Sequence, residues 1–241
     1  MNKHEILRDV GTKSKLESLR DLGTKRKVAV PATLGSNDWP NCKSVADYHS
    51  GAYDCDYVSP YTKSASNADS SVFVVLQDWS SHNWLIGPLD HVVQRLGYSP
   101  SLPTNINLKQ LLKSHLGVEL IEVFATNLFP FVKSGNLNAN IPANLMLKAA
   151  TEFCIPQIEI VKPKIVVCMG TTAFNAIRQS KGLKKVKNLQ DGFEQPFMDN
   201  GTEYWCQSHP GKLGRINRQS AGRLGQVDMD WAVMARRLSQ L

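Results

Sequence analysis

The sequence predicts an α/β protein with three layers, α/β/α, around a central four-stranded parallel sheet. Two observations predict it. Four apolar runs, at residues 72–76, 120–126, 165–169 and 203–207, are rich in β-branched and aromatic side chains and bounded by polar residues. That is the pattern of buried strands. Between them lie segments with helical apolar spacing, at 85–96, 108–116 and 143–161. Strands that alternate with helices run parallel and carry helices on both faces.

Taken in order, residues 1–28 place Ile6, Leu7, Val10, Leu16, Leu19 and Leu22 at loose helical spacing among many lysines and arginines, with Gly11 and Gly23 between. This predicts one or two short helices with a solvated basic face, interrupted at the glycines, with a DNA-touching arm as the alternative reading. Residues 29–71 are rich in Ser, Asn, Asp, Pro and Tyr and show no periodicity. Trp39, Tyr48, Tyr53, Tyr57 and Tyr61 are the side chains available to pin that segment to a core or, as the alternative, to stack bases. Residues 1–70 are therefore read as an N-terminal extension packed on a domain of 71–241. After the first run, Ser80, Ser81, His82 and Asn83 have the composition of a loop. Within 143–161, Pro156 predicts a kink or break, and Lys162-Pro163-Lys164 ends the helix. Thr171 or Thr172 can cap the helix after the third run. An amphipathic helix over 229–238 closes the chain.

The net charge of +7 is compatible with a polyanionic partner. Hydrophobic content of 42% and charged content of 20% suit a globular domain with a real core. The five cysteines, Cys42, Cys55, Cys154, Cys168 and Cys206, contain no CxxC pair. That argues against a disulfide framework or a cysteine-rich zinc site, and Cys168 and Cys206 read as buried thiols. No stretch is long and apolar enough to cross a membrane, and the charged N-terminus lacks the apolar core of a secretory signal. The expected location is the cytoplasm. No Walker loop, GxGxxG or metal-ligand spacing is visible, so no cofactor and no metal are expected.

The polar residues at the end of each run carry the chemistry. The first run ends in Gln77-Asp78-Trp79, the second in Thr126-Asn127, the third in Gly170-Thr171-Thr172 and the fourth in Ser208-His209-Pro210-Gly211-Lys212. In a parallel sheet these ends share one edge, where ligands bind, so Asp78, Asn127 and His209 could meet in one cleft. Taken singly, Asp78 could equally cap a helix, Asn127 satisfy a turn and His209 bond a carbonyl. Together they offer a carboxylate to orient water or face developing positive charge. They also offer a carboxamide to read a polar edge, and an imidazole to donate to an oxygen gaining charge.

These segments resemble the motifs of the uracil-DNA glycosylase superfamily. Leu76-Gln77-Asp78-Trp79-Ser80-Ser81 is similar to its first motif, GQDPYH. Residues 126–130, Thr-Asn-Leu-Phe-Pro, are similar to its uracil-reading segment, and His209-Pro210-Gly211-Lys212 to its last motif, HPSP. The resemblance covers residues 70–240 and implies an α/β/α glycosylase domain with DNA as partner, acting on a base turned out of the stack. It implies that Asp78 orients the attacking water and stabilises the oxocarbenium-like sugar, and that His209 bonds the leaving base. Asn127 would pair with the base edge and Gln77 would contribute backbone contacts; Trp79, which stands in place of the motif's proline, reads either as a stacking wall of the pocket or as a packed side chain. Lys212, Arg215 and Arg218 would lie on a loop entering the DNA groove and hold phosphates. Iron-sulfur members use four cysteines, and only Cys154 lies near one of those positions, so no cluster is expected.

Three departures stand out. Leu76 replaces a glycine, Trp79-Ser80 replaces the Pro-Tyr pair whose tyrosine excludes thymine, and Gly211-Lys212 replaces Ser-Pro. They leave base selectivity open, and they leave room for a non-catalytic member binding DNA, a modified base or a protein partner, the last through the extension. A hydrolase of free N-glycosides is a third reading. The basic composition of 211–241, six Lys/Arg against two Asp, favours a polymer.

Overall fold

The first apolar run forms β1, Val72–Asp78, at the heart of the sheet, with its first five residues buried. In this computed structural model, residues 3–31, 36–219 and 225–241 are described, with side chains from residue 14 onward. In chain order the helix α1 spans Lys3–Ala29 and precedes β1. After β1 come α2 (His82–Leu85), α3 (His91–Leu96) and α4 (Pro103–Leu111), then β2 (Phe124–Phe129). Next are α5 (Ala143–Ala149), α6 (Ile155–Val161), β3 (Ile165–Met169), α7 (Thr171–Ser180) and α8 (Leu189–Glu194). The chain ends with β4 (Phe197–Asp199), β5 (Thr202–Gln207), α9 (Lys212–Gln219) and α10 (Gln226–Leu238).

The sheet has five strands, in the order β2-β1-β3-β5-β4, not the four expected. The four anticipated strands pair in parallel. The fifth, β4, pairs antiparallel with β5. Its cause is a tight hairpin at Asn200-Gly201, both at positive φ, 48° and 80°. Asn-Gly is the dipeptide such two-residue turns prefer. Phe197 then stacks on Tyr204 across the pair, with ring centroids 4.6 Å apart.

Strand alternation supplies two cores. Phe73, Val75, Val166, Cys168, Tyr204 and Cys206 face one layer, where α5, α6 and α7 bring Met146, Ile158, Phe174 and Ile177. Val74, Leu76, Val167, Met169 and Trp205 face the other, where α4 and α10 bring Leu108, Leu111, Trp231 and Met234. This period-two division makes three layers. Cys168 and Cys206 are buried and free, as expected.

Local differences have local causes. Residues 120–122 form a 3-10 turn because Glu119 and Glu122 close a reciprocal cap, so β2 starts later and continues through Asn127. Ser80–Asn83 is not all loop, because His82 opens α2. Pro156 sits in the first turn of α6, directly after a π-helical turn at Ala150–Cys154, so the break becomes a register shift within one continuous helical path. Gly170 rather than a threonine is the cap of α7.

The N-terminal region packs on the core, which takes in Leu19, Val30 and Trp39. Residues 3–29 form one helix, not two. The side chains of its first eleven residues lie outside those described, so the expected basic face is described only from residue 14. Gly23 does not break the helix. It lets α1 lie directly on the segment 54–57, where an added Cβ would fall 2.1 Å from the Asp56 carbonyl oxygen. Next to it, buried Arg26 donates to Asp54 Oδ1 at 2.8 Å and to the Cys55 carbonyl at 3.0 Å. Trp39 is buried against Phe131, Phe129 and Phe153, and Tyr48, Tyr53 and Tyr61 are buried too.

Replacing Gly23 with alanine is expected to force α1 off the 54–57 segment. The overlap should cost about 1–3 kcal/mol, the scale of overpacking, read as a lower Tm in thermal unfolding. An unchanged Tm would mean that this approach does not hold the helix.

Candidate active site

The chain runs from β1 to β2 on one side and returns to β3 on the other side of β1. The reversal of strand order falls at β1, the place where open α/β sheets bind ligands. Asp78 is the last residue of β1, Asn127 pairs with β1 in register opposite Leu76, and His209 lies just beyond β5. All three line one cleft of about 360 Å³, together with Gln77 and Trp79.

Asp78 is held on both oxygens. Gln77 Nε2 donates to its Oδ1 at 3.0 Å, and Lys133 Nζ lies 2.9 Å from its Oδ2. Gln77 thus contributes through its side chain. Asn127 is buried, and its Oδ1 accepts from Ser59 Oγ at 2.6 Å. Ser59 Oγ in turn accepts from the Tyr61 backbone N–H at 3.2 Å, so its proton goes to Asn127. This assigns the carboxamide orientation from the network and leaves Asn127 Nδ2 to donate to a ligand.

The Gly211 N–H donates to His209 Nδ1 at 3.1 Å. An Nδ1 that accepts puts the ring proton on Nε2. Burial lowers the pKa of His209 below the usual histidine range, with the Asp78 charge acting the other way. The imidazole is therefore a neutral donor near pH 7. Two glycines set its place. An added Cβ at Gly211 would lie 2.9 Å from His209 Nδ1, and one at Gly214 would lie 2.2 Å from the His209 carbonyl oxygen. The substitutions in the last motif therefore let the turn fold tightly around the ring.

Trp79 is a wall of the cleft whose indole N–H donates to the Gly97 carbonyl at 2.8 Å, with Tyr53 edge-on at 5.6 Å. Gly97, at φ 76°, abuts Pro60, where a Cβ would fall 1.7 Å from the carbonyl oxygen. Tyr61 completes the wall, donating to Asn105 Oδ1 at 3.0 Å. Sequence reasoning missed Ser59 and Lys133, and did not single out Tyr61 from the other aromatic residues of its segment. Ser59 and Tyr61 come from the aperiodic segment, where no spacing marks them. Lys133 lies just past the Asn127 motif, the one signal that could have drawn attention to it.

The three basic residues after His209 do not act alike. They lie on a helix, α9, not a loop. Lys212 is exposed and Arg215 partly so. Arg218 is buried, and its guanidinium is bidentate to Asp230 at 2.6 and 2.9 Å and bonded to Gln190 at 2.7 Å. It ties α9 to α10 and α8 and is not free to hold a phosphate, a correction to its expected role. Leu213 and Ile216 are exposed on the same helix.

Fold and cleft define an α/β protein with a polar-lined cleft at the carboxyl end of its sheet. The family model for the uracil DNA glycosylase superfamily matches residues 88–227, more than half of the chain, and the protein belongs to that superfamily. The matched stretch includes Asn127 and His209, while Asp78 precedes it. Membership supports a DNA glycosylase-like function in general terms. No curated protein sequence matches the chain.

Arg218→Ala is expected to destabilise the fold by about 3–5 kcal/mol, because it strands Asp230 as an unpaired buried charge. Lys212→Ala with Arg215→Ala should leave stability within about 0.5 kcal/mol of the wild type. It should also weaken DNA binding and flatten its salt dependence. Thermal unfolding and fluorescence anisotropy at several salt concentrations check both. The reverse pattern would overturn the assignment.

Proposed function

We propose that the protein is a DNA glycosylase that hydrolyses the N-glycosidic bond of uracil or a related damaged base in DNA, with water as nucleophile. The observation that carries this reading is the meeting of Asp78, Asn127 and a neutral, Nε2–H His209 in one cleft. Breaking the bond leaves positive charge on the sugar and negative charge on the departing base. Asp78 faces the first charge and orients the water. His209 Nε2–H and Asn127 Nδ2 donate to the second, and fixed donors of this kind stabilise charge that develops only in the transition state. Trp79 and Tyr61 bound the base. Lys212 and Arg215 hold phosphates, and exposed Leu213 and Ile216 fill the gap left by the extruded base.

A second reading, a binding module using the same cleft, is favoured by one observation. Lys133 offsets the charge of Asp78. Incubation with single- and double-stranded oligonucleotides carrying uracil, hypoxanthine or oxidised bases separates the two. Binding without release of any base supports the module.

Asp78→Asn and His209→Ala should each slow single-turnover base release by about a hundredfold or more, with smaller effects on binding. Asn127→Ala should blunt discrimination among bases. Full activity of Asp78→Asn would end this mechanism.

Because burial keeps His209 neutral, release should persist as pH falls through about 6.5 and decline only below it, where the ring takes a proton on Nδ1. Between the two pKa values the unfolded chain binds more protons than the folded one. The His209 contribution to stability is therefore fully present above about 6.5 and lost as pH falls through the folded value. pH profiles of single-turnover rate and of Tm, wild type against His209→Ala, check the sign.

A further inference from the structure

The Lys133 amine, paired with Asp78 behind the cleft wall, has no part in base release by water. Its side chain is 5% exposed, and Nζ bridges Asp78 Oδ2 at 2.9 Å and the Leu137 carbonyl at 2.6 Å. Asp78 and Leu137 both line the cleft, so the amine stands directly behind its wall. The backbone of Lys133 is fixed beside the exit of β1, where its carbonyl accepts from the His82 N–H at 2.9 Å and it bridges to Ser81.

We propose that Lys133 gives this site a second activity, strand cleavage at abasic deoxyribose through an imine to the sugar. The inference rests on the cleft being a DNA-sugar site, as the glycosylase reading holds. Base release leaves a hemiacetal that opens to an aldehyde at C1′, and a lysine amine condenses with such a carbonyl. A carboxylate at 2.9 Å is the proton carrier this step needs. The Lys133 ammonium passes a proton to Asp78, and the free amine attacks C1′ to form a carbinolamine. Asp78 returns the proton to the carbinolamine hydroxyl, water leaves, and a C1′–N iminium forms. The Asp78 carboxylate then removes a C2′ proton. The electron pair of that bond expels the phosphate oxygen from C3′, cutting the strand 3′ to the sugar. Water hydrolyses the conjugated iminium to the unsaturated aldehyde and the Lys133 ammonium, and Asp78 gives the C2′ proton to the departed phosphate. No oxidant or reductant is consumed.

The test uses the full chain and DNA carrying a preformed abasic site, so it does not depend on base release. Borohydride reduces an iminium to a stable amine, and denaturing gels then show a protein–DNA adduct. The wild type is expected to give the adduct and, without borohydride, a nicked strand, with peptide mapping placing the link on Lys133. Lys133→Arg keeps a cation beside Asp78 but cannot form the imine. It and Lys133→Ala should lose the adduct, and the Tm of Lys133→Arg reports whether the fold persists. No adduct from folded wild type, or an adduct that survives in Lys133→Arg or maps elsewhere, overturns the proposal. Free-base release from a damaged-base oligonucleotide, followed separately by chromatography, judges the glycosylase reading. Release without adduct sinks only the lyase, and adduct without release sinks only the glycosylase.

Discussion

Burying a parallel sheet on both faces leaves only its edges for polar chemistry, and the rest of the structure depends on that. Each crossover returns the chain to the same starting edge, so β1, β2, β3 and β5 all finish on one side. Residues remote in sequence, Asp78, Asn127 and His209, are thereby gathered without any contact among their own segments having to be strong. The helical layers supply stability through apolar packing on α4, α5, α7 and α10, and the edge is released from that duty.

The N-terminal region supplies what the sheet cannot. A strand end presents a carboxamide but does not choose which way it points. Ser59 makes that choice for Asn127, and Tyr61 builds the wall beside it. Both are held in place because the segment is itself pinned by Trp39 in its aromatic nest and by α1 lying close over Gly23. Packing in this region and geometry in the cleft are therefore one problem.

The strands and their polar ends were legible because burial forces a short apolar period and its abrupt stop. The Asn200-Gly201 turn that adds β4 carries a hairpin dipeptide, but it was not read as one, because the strand before it is only three residues long. Gly23 was misread because close approach and helix breaking require the same residue, and only the neighbouring segment 54–57 tells them apart. Arg218 was misread for a related reason. A basic residue after a binding motif looks like a phosphate contact until its partner Asp230, on a later helix, is known. Ser59 and Lys133 act through contacts with residues distant in sequence; nothing local marks Ser59, and only its place just past the Asn127 motif marks Lys133.

The charges in the cleft bear on all of this. Asp78 is matched by Lys133, and His209 carries none near pH 7, so the cleft is close to neutral but strongly polar. Its anionic oxygens lie at the end of β1 and its free donors on β2 and beyond β5. In the proposed reaction, an N-glycosidic bond breaking across the cleft would develop charge of the opposite sign at each end, so the stabilisation would rise with bond cleavage and be small for the intact, uncharged base. A bare carboxylate would bind cations and repel the phosphates of any approaching strand. Pairing it with Lys133 removes that repulsion while keeping the oxygens aimed, and the partner that does so is an amine. On the proposed reading, the pairing that would admit a polyanion also places an amine against the carboxylate that would face the sugar.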